Sequence, residues 1–387
     1  MATTDLDVPA HHWTGTDPQG HWPAVARDLC GVIGEDAATH DRQGDFVTDA
    51  MNLARRNGLL SMLVPSELGG GGATHAEACA TLAGLAHGCP ATALTLSMHT
   101  HLVAAQVWRH KHDLPAPVLT KVAHEQVLLV STGASDWVSS NGTATKVDGG
   151  FRVSASKTPA SGAPVGDIVV SSARWNDSAD GPQVIHFSAP FSADGISIDE
   201  TWDTMGMRAT GSHTVVLDNV FVPDGAISLI RPADHWHPVW NTIMGAAMPL
   251  IMAVYVGVAE SAADIAVDLA AKRSDASLVI PLVGRMLNSL AIAQDAVGNM
   301  VAMSDDLRFA NTDLHAADIL TRKTIATESA IDTVRLAMDV AGGAGYLKAT
   351  GLERLYRDVH GALYHPLPAP KQEVFCGRIA LGLDPIG

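Results

Sequence analysis

The feature that most constrains this chain is a double change of hydrophobic rhythm. Up to about residue 124, and again from about residue 231, apolar residues recur at helical intervals; between these regions they fall into short β-branched runs. The runs are Val127 to Val130, Phe151 to Ser156, Asp167 to Ser171, Val184 to Phe187, Ile196 to Ile198 and Thr214 to Val222, divided by turn residues. Asp148-Gly149-Gly150 marks a hairpin turn. Strands so short and so regularly spaced fit a small antiparallel barrel or sandwich. Helices, then strands, then helices predict an α+β chain of three parts. These are an N-terminal helical domain over 1–124, a middle antiparallel β barrel or sandwich over 125–230, and a C-terminal four-helix bundle over 231–387.

Local signals support the helical parts. Thr74 with Glu77 three residues on reads as a capping box, and Gly69 to Gly72 and Gly88-Cys89-Pro90 read as turns. Val258, Ala262, Ile265 and Leu269 share one helix face, and Val283, Leu287 and Leu290 continue the pattern in the next helix. Ile243 to Ala259 is apolar but short for a membrane span, so a buried helix is expected there. A net charge of −16, without a Lys/Arg-rich run, argues against nucleic acid and against an anionic membrane surface as partner. Four cysteines without a Cys-x-x-Cys pair, and no basic-then-apolar leader, lead to the expectation of a reduced, cytoplasmic protein. The histidine pairs His99/His101, His110/His112 and His235/His237 are spaced i, i+2 without companion carboxylates or cysteines, so no metal is expected.

Chemistry concentrates near the end. Ile331, Val334, Met338 and Ala341 form a helical stripe that Gly342 and Gly343 stop, and glycine backbone can approach a flat or phosphorylated ligand closely. Tyr346, Glu353-Arg354, Arg357-Asp358 and Tyr364-His365-Pro366 follow. Earlier come Val64-Pro65-Ser66-Glu67-Leu68-Gly69-Gly70, Ser135-Asp136, Phe151 to Lys157 running on to Ser161-Gly162-Ala163, and Met205 to Ser212 followed by Asp218 to Pro223. In this order the motifs resemble those of the acyl-CoA dehydrogenase superfamily, over nearly the whole length.

The resemblance implies the same three-part fold and a bound FAD between the β region and the bundle. Ser161 would stand near the flavin ring, and Ser135 would line its pocket. Arg273 would reach the pyrophosphate of a partner subunit's FAD, and Gly342 and Gly343 would meet the same region, which implies a homotetramer or homodimer. Arginine suits phosphate because its guanidinium offers paired N–H donors.

Departures matter as much. A dehydrogenase needs a carboxylate to take a proton beside the thioester while hydride goes to the flavin. The two places where the family supplies this Glu hold Pro366 and Ala247 here, and Glu260 and Glu373 do not fall at either. His365 stands beside the first gap, where the superfamily's flavin-dependent monooxygenases carry a His, and an unperturbed imidazole could handle a proton near neutral pH. Three readings follow, in this order. The first is a dehydrogenase acting on a CoA or carrier-bound thioester. The second is a monooxygenase using FAD, or FMN from a partner flavin reductase. The third is a catalytically silent subunit.

Overall fold

The computed structural model describes residues 20–134, 136–272 and 278–387. The first part folds into α1 (His21–Gly34), α2 (Ala37–Gln43), α3 (Thr48–Arg56), α4 (His75–Gly88), α5 (Pro90–Lys111) and α6 (Val118–Glu125). The start of α4 is set by the expected capping box: Thr74 Oγ1 accepts from Glu77 N at 3.1 Å, and Glu77 returns a carboxylate oxygen to Thr74 N at 2.8 Å.

Eight strands follow: β1 (Leu129–Ser131), β2 (Thr143–Val147), β3 (Gly150–Lys157), β4 (Ile168–Trp175), β5 (Gln183–Pro190), β6 (Ile196–Asp199), β7 (Thr214–Pro223) and β8 (Ile227–Pro232). Val147 pairs with Gly150, which leaves Asp148-Gly149 as a two-residue turn, and Gly149 takes the left-handed φ of +71° that such a turn needs. The sheet runs β6-β7-β3-β2-β4-β5-β8, with β1 beside β4. It is mixed and not purely antiparallel, because β1 and β2 both lie parallel to β4. The whole β2–β3 hairpin intervenes between β1 and β4, a connection long enough for a parallel return. Strands β2 and β8 escape the sequence pattern because each buries little: only Ala144 in β2 and Arg231 in β8 are fully buried.

The last part holds α7 (Val239–Ala271), α8 (Ile280–Met303), α9 (Asp313–Ala341), α10 (Leu352–Val359) and α11 (Ala369–Ala380). The 33-residue α7 is long and apolar enough to cross a membrane by length and composition, yet 94% of its most apolar window is buried inside the protein. It packs against α4 and α5 from the first part and against α8, α9 and α10 from the last. The two helical regions therefore share one hydrophobic core, and the sheet, which lies between α6 and α7 in the sequence, adds buried residues such as Val153, Val169 and Ile185 to it.

Candidate active site

The Arg357-Asp358 pair is a fastener between the three parts. From α10, the Arg357 fork donates to both Asp41 oxygens on α2 at 2.9 and 2.7 Å, to Glu353 at 2.8 Å, and to the Met205 carbonyl at 3.0 Å. Asp358, fully buried, accepts from the Met207 N–H at 2.5 Å; burial raises its pKa to about 6 even though that hydrogen bond lowers it. Gly206 has to be glycine, since a Cβ there would stand 2.2 Å from the Arg357 carbonyl oxygen.

From Met207 a chain of hydroxyls leads into the β region. Thr210 Oγ1 donates to the Met207 carbonyl at 2.9 Å, Ser212 Oγ lies 2.7 Å from Thr210 Oγ1, and Ser161 Oγ lies 2.7 Å from Ser212 Oγ. The Ser161 loop is held on both sides, by Ala160 N donating to His213 O and Gly162 N donating to Thr210 O. Gly162 takes a φ of +81° against Thr95 of α5, so the loop lies where the β region meets the helices.

His365 reaches the same seam from the other direction. Its Nε2 lies 2.8 Å from the Tyr255 hydroxyl on α7. Gly361 fits beneath that hydroxyl, since a Cβ there would stand 2.7 Å from Tyr255 Oη and 3.4 Å from Met207 Cγ. Met207 thus lies between the Ser161 chain and the Tyr255–His365 pair. Burial first, then the nearby Lys323 and His101, push the His365 pKa down to about 3, so the ring is neutral at neutral pH and does not titrate there as an unperturbed imidazole would. Burial also raises the Tyr255 pKa well above its ordinary value, which keeps it a phenol. The phenol and the neutral imidazole share this one hydrogen bond, whose direction depends on which ring nitrogen carries the proton. On α9, Lys323 is buried with its Nζ 3.3 Å from the Leu367 carbonyl, and burial lowers its pKa to about 8.

Among the described residues, the carboxylate bonded into this seam is Asp358, held by the Met207 N–H and near enough to Tyr255 to help raise its pKa, while neither place of the missing Glu holds a carboxylate. Ala247 is buried in α7; Glu260 receives hydrogen bonds from Gln294 at 2.7 Å and lies 3.2 Å from His87; Glu373 is exposed on α11. Ser135 and Arg273 lie outside the described residues. The segment after Ser135 is clamped: Asp136 forms a buried ion pair with Lys157, which also donates to Ser140 and to the Asn141 carbonyl, while Arg231 donates to the Asp136 carbonyl. Gly342, with a φ of +58°, ends α9, and Gly343 beside it is exposed with open space around it. Among the described residues, neither glycine contacts the Ser161 or His365 network through a hydrogen bond. His99 is structural: Nδ1 accepts from Leu129 N and Nε2 donates to Leu60 O. Among the described residues no group of three or more His, Cys, Asp or Glu side chains is placed to hold a metal ion. Sequence reasoning passed over Tyr255 and Lys323, and quoted Thr210 and Ser212 without a role; a Tyr and a Lys at buried positions of apolar helix faces were the available signals.

Two helical regions around a mixed sheet, with a polar seam where all three parts meet, define a three-part α+β protein with its site at the domain junction. The family models for the acyl-CoA dehydrogenase N-terminal and C-terminal domains match residues 24–114 and 239–363, and the chain belongs to the acyl-CoA dehydrogenase family. A putative acyl-CoA dehydrogenase of Bacillus subtilis, YdbM, is 29% identical, the match covering 90% of this chain and 94% of the relative. The L-evernosamine nitrososynthase of a Micromonospora species is 28% identical over 92% of this chain and 89% of its own. A solved structure of KijD3, in complex with FMN and a dTDP-linked amino keto sugar, superposes with a TM-score of 0.82 at 26% identity, covering 95% of each chain.

Proposed function

We propose that this protein is a flavin-dependent monooxygenase on the acyl-CoA dehydrogenase scaffold, oxygenating a small molecule with reduced FMN or FAD supplied by a separate reductase. The observation that carries this reading is the neutral Tyr255–His365 pair where a dehydrogenase needs a carboxylate. With Nε2 held by the Tyr255 hydroxyl, the neutral His365 ring has only Nδ1 left to meet a ligand. The nitrososynthase relative and the FMN-bound neighbour support the same choice. It reverses the order drawn from the sequence, in which a thioester dehydrogenase came first.

The residues present fit a flavin. The half-buried Ser161 hydroxyl and the His365 ring are aimed at one seam by fixed partners, the first by Ser212 and the second by Tyr255. A bound reduced flavin would supply the electrons that activate oxygen. Ser161 would hold the ring edge, the neutral His365 ring would offer Nδ1 as a hydrogen-bond partner to the reacting group, and the apolar faces of α5 and α7 would exclude water.

The test separates the two chemistries. Mixed anaerobically with short, medium and long acyl-CoA thioesters, the flavin-loaded protein should stay oxidised, because a general base contributes about 10²- to 10⁴-fold and the two places that supply the family's Glu hold Pro366 and Ala247. With a reductase and oxygen, an amine-bearing small molecule should gain oxygen. Rapid bleaching of the flavin by a simple acyl-CoA would overturn the proposal.

The protein is further proposed to be a homodimer or homotetramer. Leu278, Ile280, Tyr346, Leu347 and Leu381 expose between 59% and 84% of their surfaces, apolar surface that a second copy of the chain would cover. Light scattering should give a mass that is a multiple of 40.5 kDa. A mass of one chain at micromolar concentration would reject this.

A further inference from the structure

We propose that Lys323 is a positioning residue for His365: from inside α9 it ties the backbone that follows the histidine and supplies the charge that faces the ring. The inference rests on the reading of His365 as a working residue of the flavin site. It deepens that reading by naming what holds the histidine and what sets its electrostatic surroundings.

The segment to be held is short. His365 follows a turn over His360–Tyr364 in an extended conformation, and α11 begins at Ala369. Pro366 has no N–H to offer. Among the described residues two side chains of the bundle tie this stretch. Tyr255 of α7 lies 2.8 Å from the His365 ring, and Lys323 of α9 donates to the Leu367 carbonyl at 3.3 Å. One fixes the ring, the other the backbone two residues on.

For stability alone a lysine is the wrong residue here. Its side chain is buried at 1% exposure, an ammonium carries three donors, and this one meets a single carbonyl. Among the described residues no carboxylate pairs with it, and burial is the one influence resolved on its pKa. A methionine would fill the space without desolvating a charge, and such replacements ordinarily leave a fold as stable or more so. A methionine could neither donate to Leu367 nor present a charge to His365.

The charges around the pair come from four elements. Lys323 of α9 and His101 of α5 both oppose a proton on His365, while Asp358 of α10 opposes ionisation of the Tyr255 phenol on α7. Of these groups the lysine is the one that changes as the pH rises past neutrality, because burial lowers its pKa to about 8. Without its proton, Nζ still has an N–H for the Leu367 carbonyl but bears no charge. The tie outlasts this step and the field does not, so one titration separates the two roles.

The experiment follows protein labelled with ¹³C at histidine Cε1 by NMR from pH 7 to pH 10, the His365 signal being the one absent in His365→Gln. In the wild type that signal should shift in one step centred near pH 8, a midpoint that belongs to Lys323 because the ring stays neutral throughout. In Lys323→Met the step should vanish and the signal should broaden as Leu367 is released, with a urea midpoint no lower than that of the wild type. Lys323→Arg keeps its charge over the whole range, so it too should show no step. A wild-type His365 signal that stays level from pH 7 to pH 10 would overturn the inference, as would a step near pH 8 that persists in Lys323→Met. This readout needs no bound flavin, so either result leaves the flavin reading standing. A wild-type protein that binds neither FMN nor FAD, titrated separately by tryptophan quenching, would reject that reading instead.

Discussion

Taken from pH 7.5 to pH 5, the protein should lose most of its stability. His75, His99 and His101 have their pKa values pushed down to about 4, and His186 and His365 to about 3, in each case chiefly by burial. In the unfolded chain each takes a proton near pH 6.5, whereas in the folded chain it does not until about pH 4 or 3. The unfolded state therefore binds more protons over that window. The stability these groups contribute is complete above about pH 6.5 and is lost as the pH falls toward 4. At pH 5 the loss is about 2 kcal/mol for each histidine and at most about 10 kcal/mol for the set, comparable with the net stability of an ordinary domain. Asp358 acts in the opposite sense, since its folded pKa of about 6 lies above the ordinary carboxyl value and its proton is bound first in the folded state; it offsets about 1 kcal/mol. Thermal melts followed by circular dichroism at half-unit pH steps read this directly. A melting midpoint that stays level from pH 7.5 to pH 5 would show that the histidines take protons inside the fold.

Arg357→Ala should cost about 3 kcal/mol or more. The side chain makes four hydrogen bonds to the Asp41 and Glu353 carboxylates and one to the Met205 carbonyl. Asp41 has a side chain only 12% exposed, and without its partner it would be a nearly buried charge. Arg357→Lys keeps the charge but not the fork, so it should fall between Ala and wild type. Urea unfolding gives the comparison, and a loss below about 0.5 kcal/mol for Arg357→Ala would place the pair among ordinary surface ion pairs.

Local features of the chain were open to sequence reasoning because each depends on residues a few positions apart. The Thr74–Glu77 capping box, the Asp148-Gly149 turn and the stop at Gly342 are of this kind. The order of helical and β texture also anticipated the three-part fold. Strand β8 was not visible, because five of its six residues leave part or most of their surface in water as an edge strand does, and because the turn at Asp224-Gly225 resembled an end. The site was half visible. His365 and Ser161 could be picked out by resemblance, but their partners Tyr255 and Ser212 lie 110 and 51 residues away, and periodicity reports which face a residue occupies without reporting what it meets. The titration of His365 could not be anticipated for the same reason: its pKa is set by burial and by Lys323 and His101, which come from two other helices.

The helix α7 closes on α4 and α5 only after the whole sheet has been threaded between them. In kinetic terms the central contacts of the helical core are long-range ones, and a chain leaving the ribosome has α4 and α5 exposed, with their buried faces uncovered, until α7 arrives. Loop closure across the sheet has to come before the core can reward it, so folding is expected to run as a slow, late condensation and not as a sequence of finished domains, which would show in refolding experiments as one slow phase shared by helical and tertiary signals.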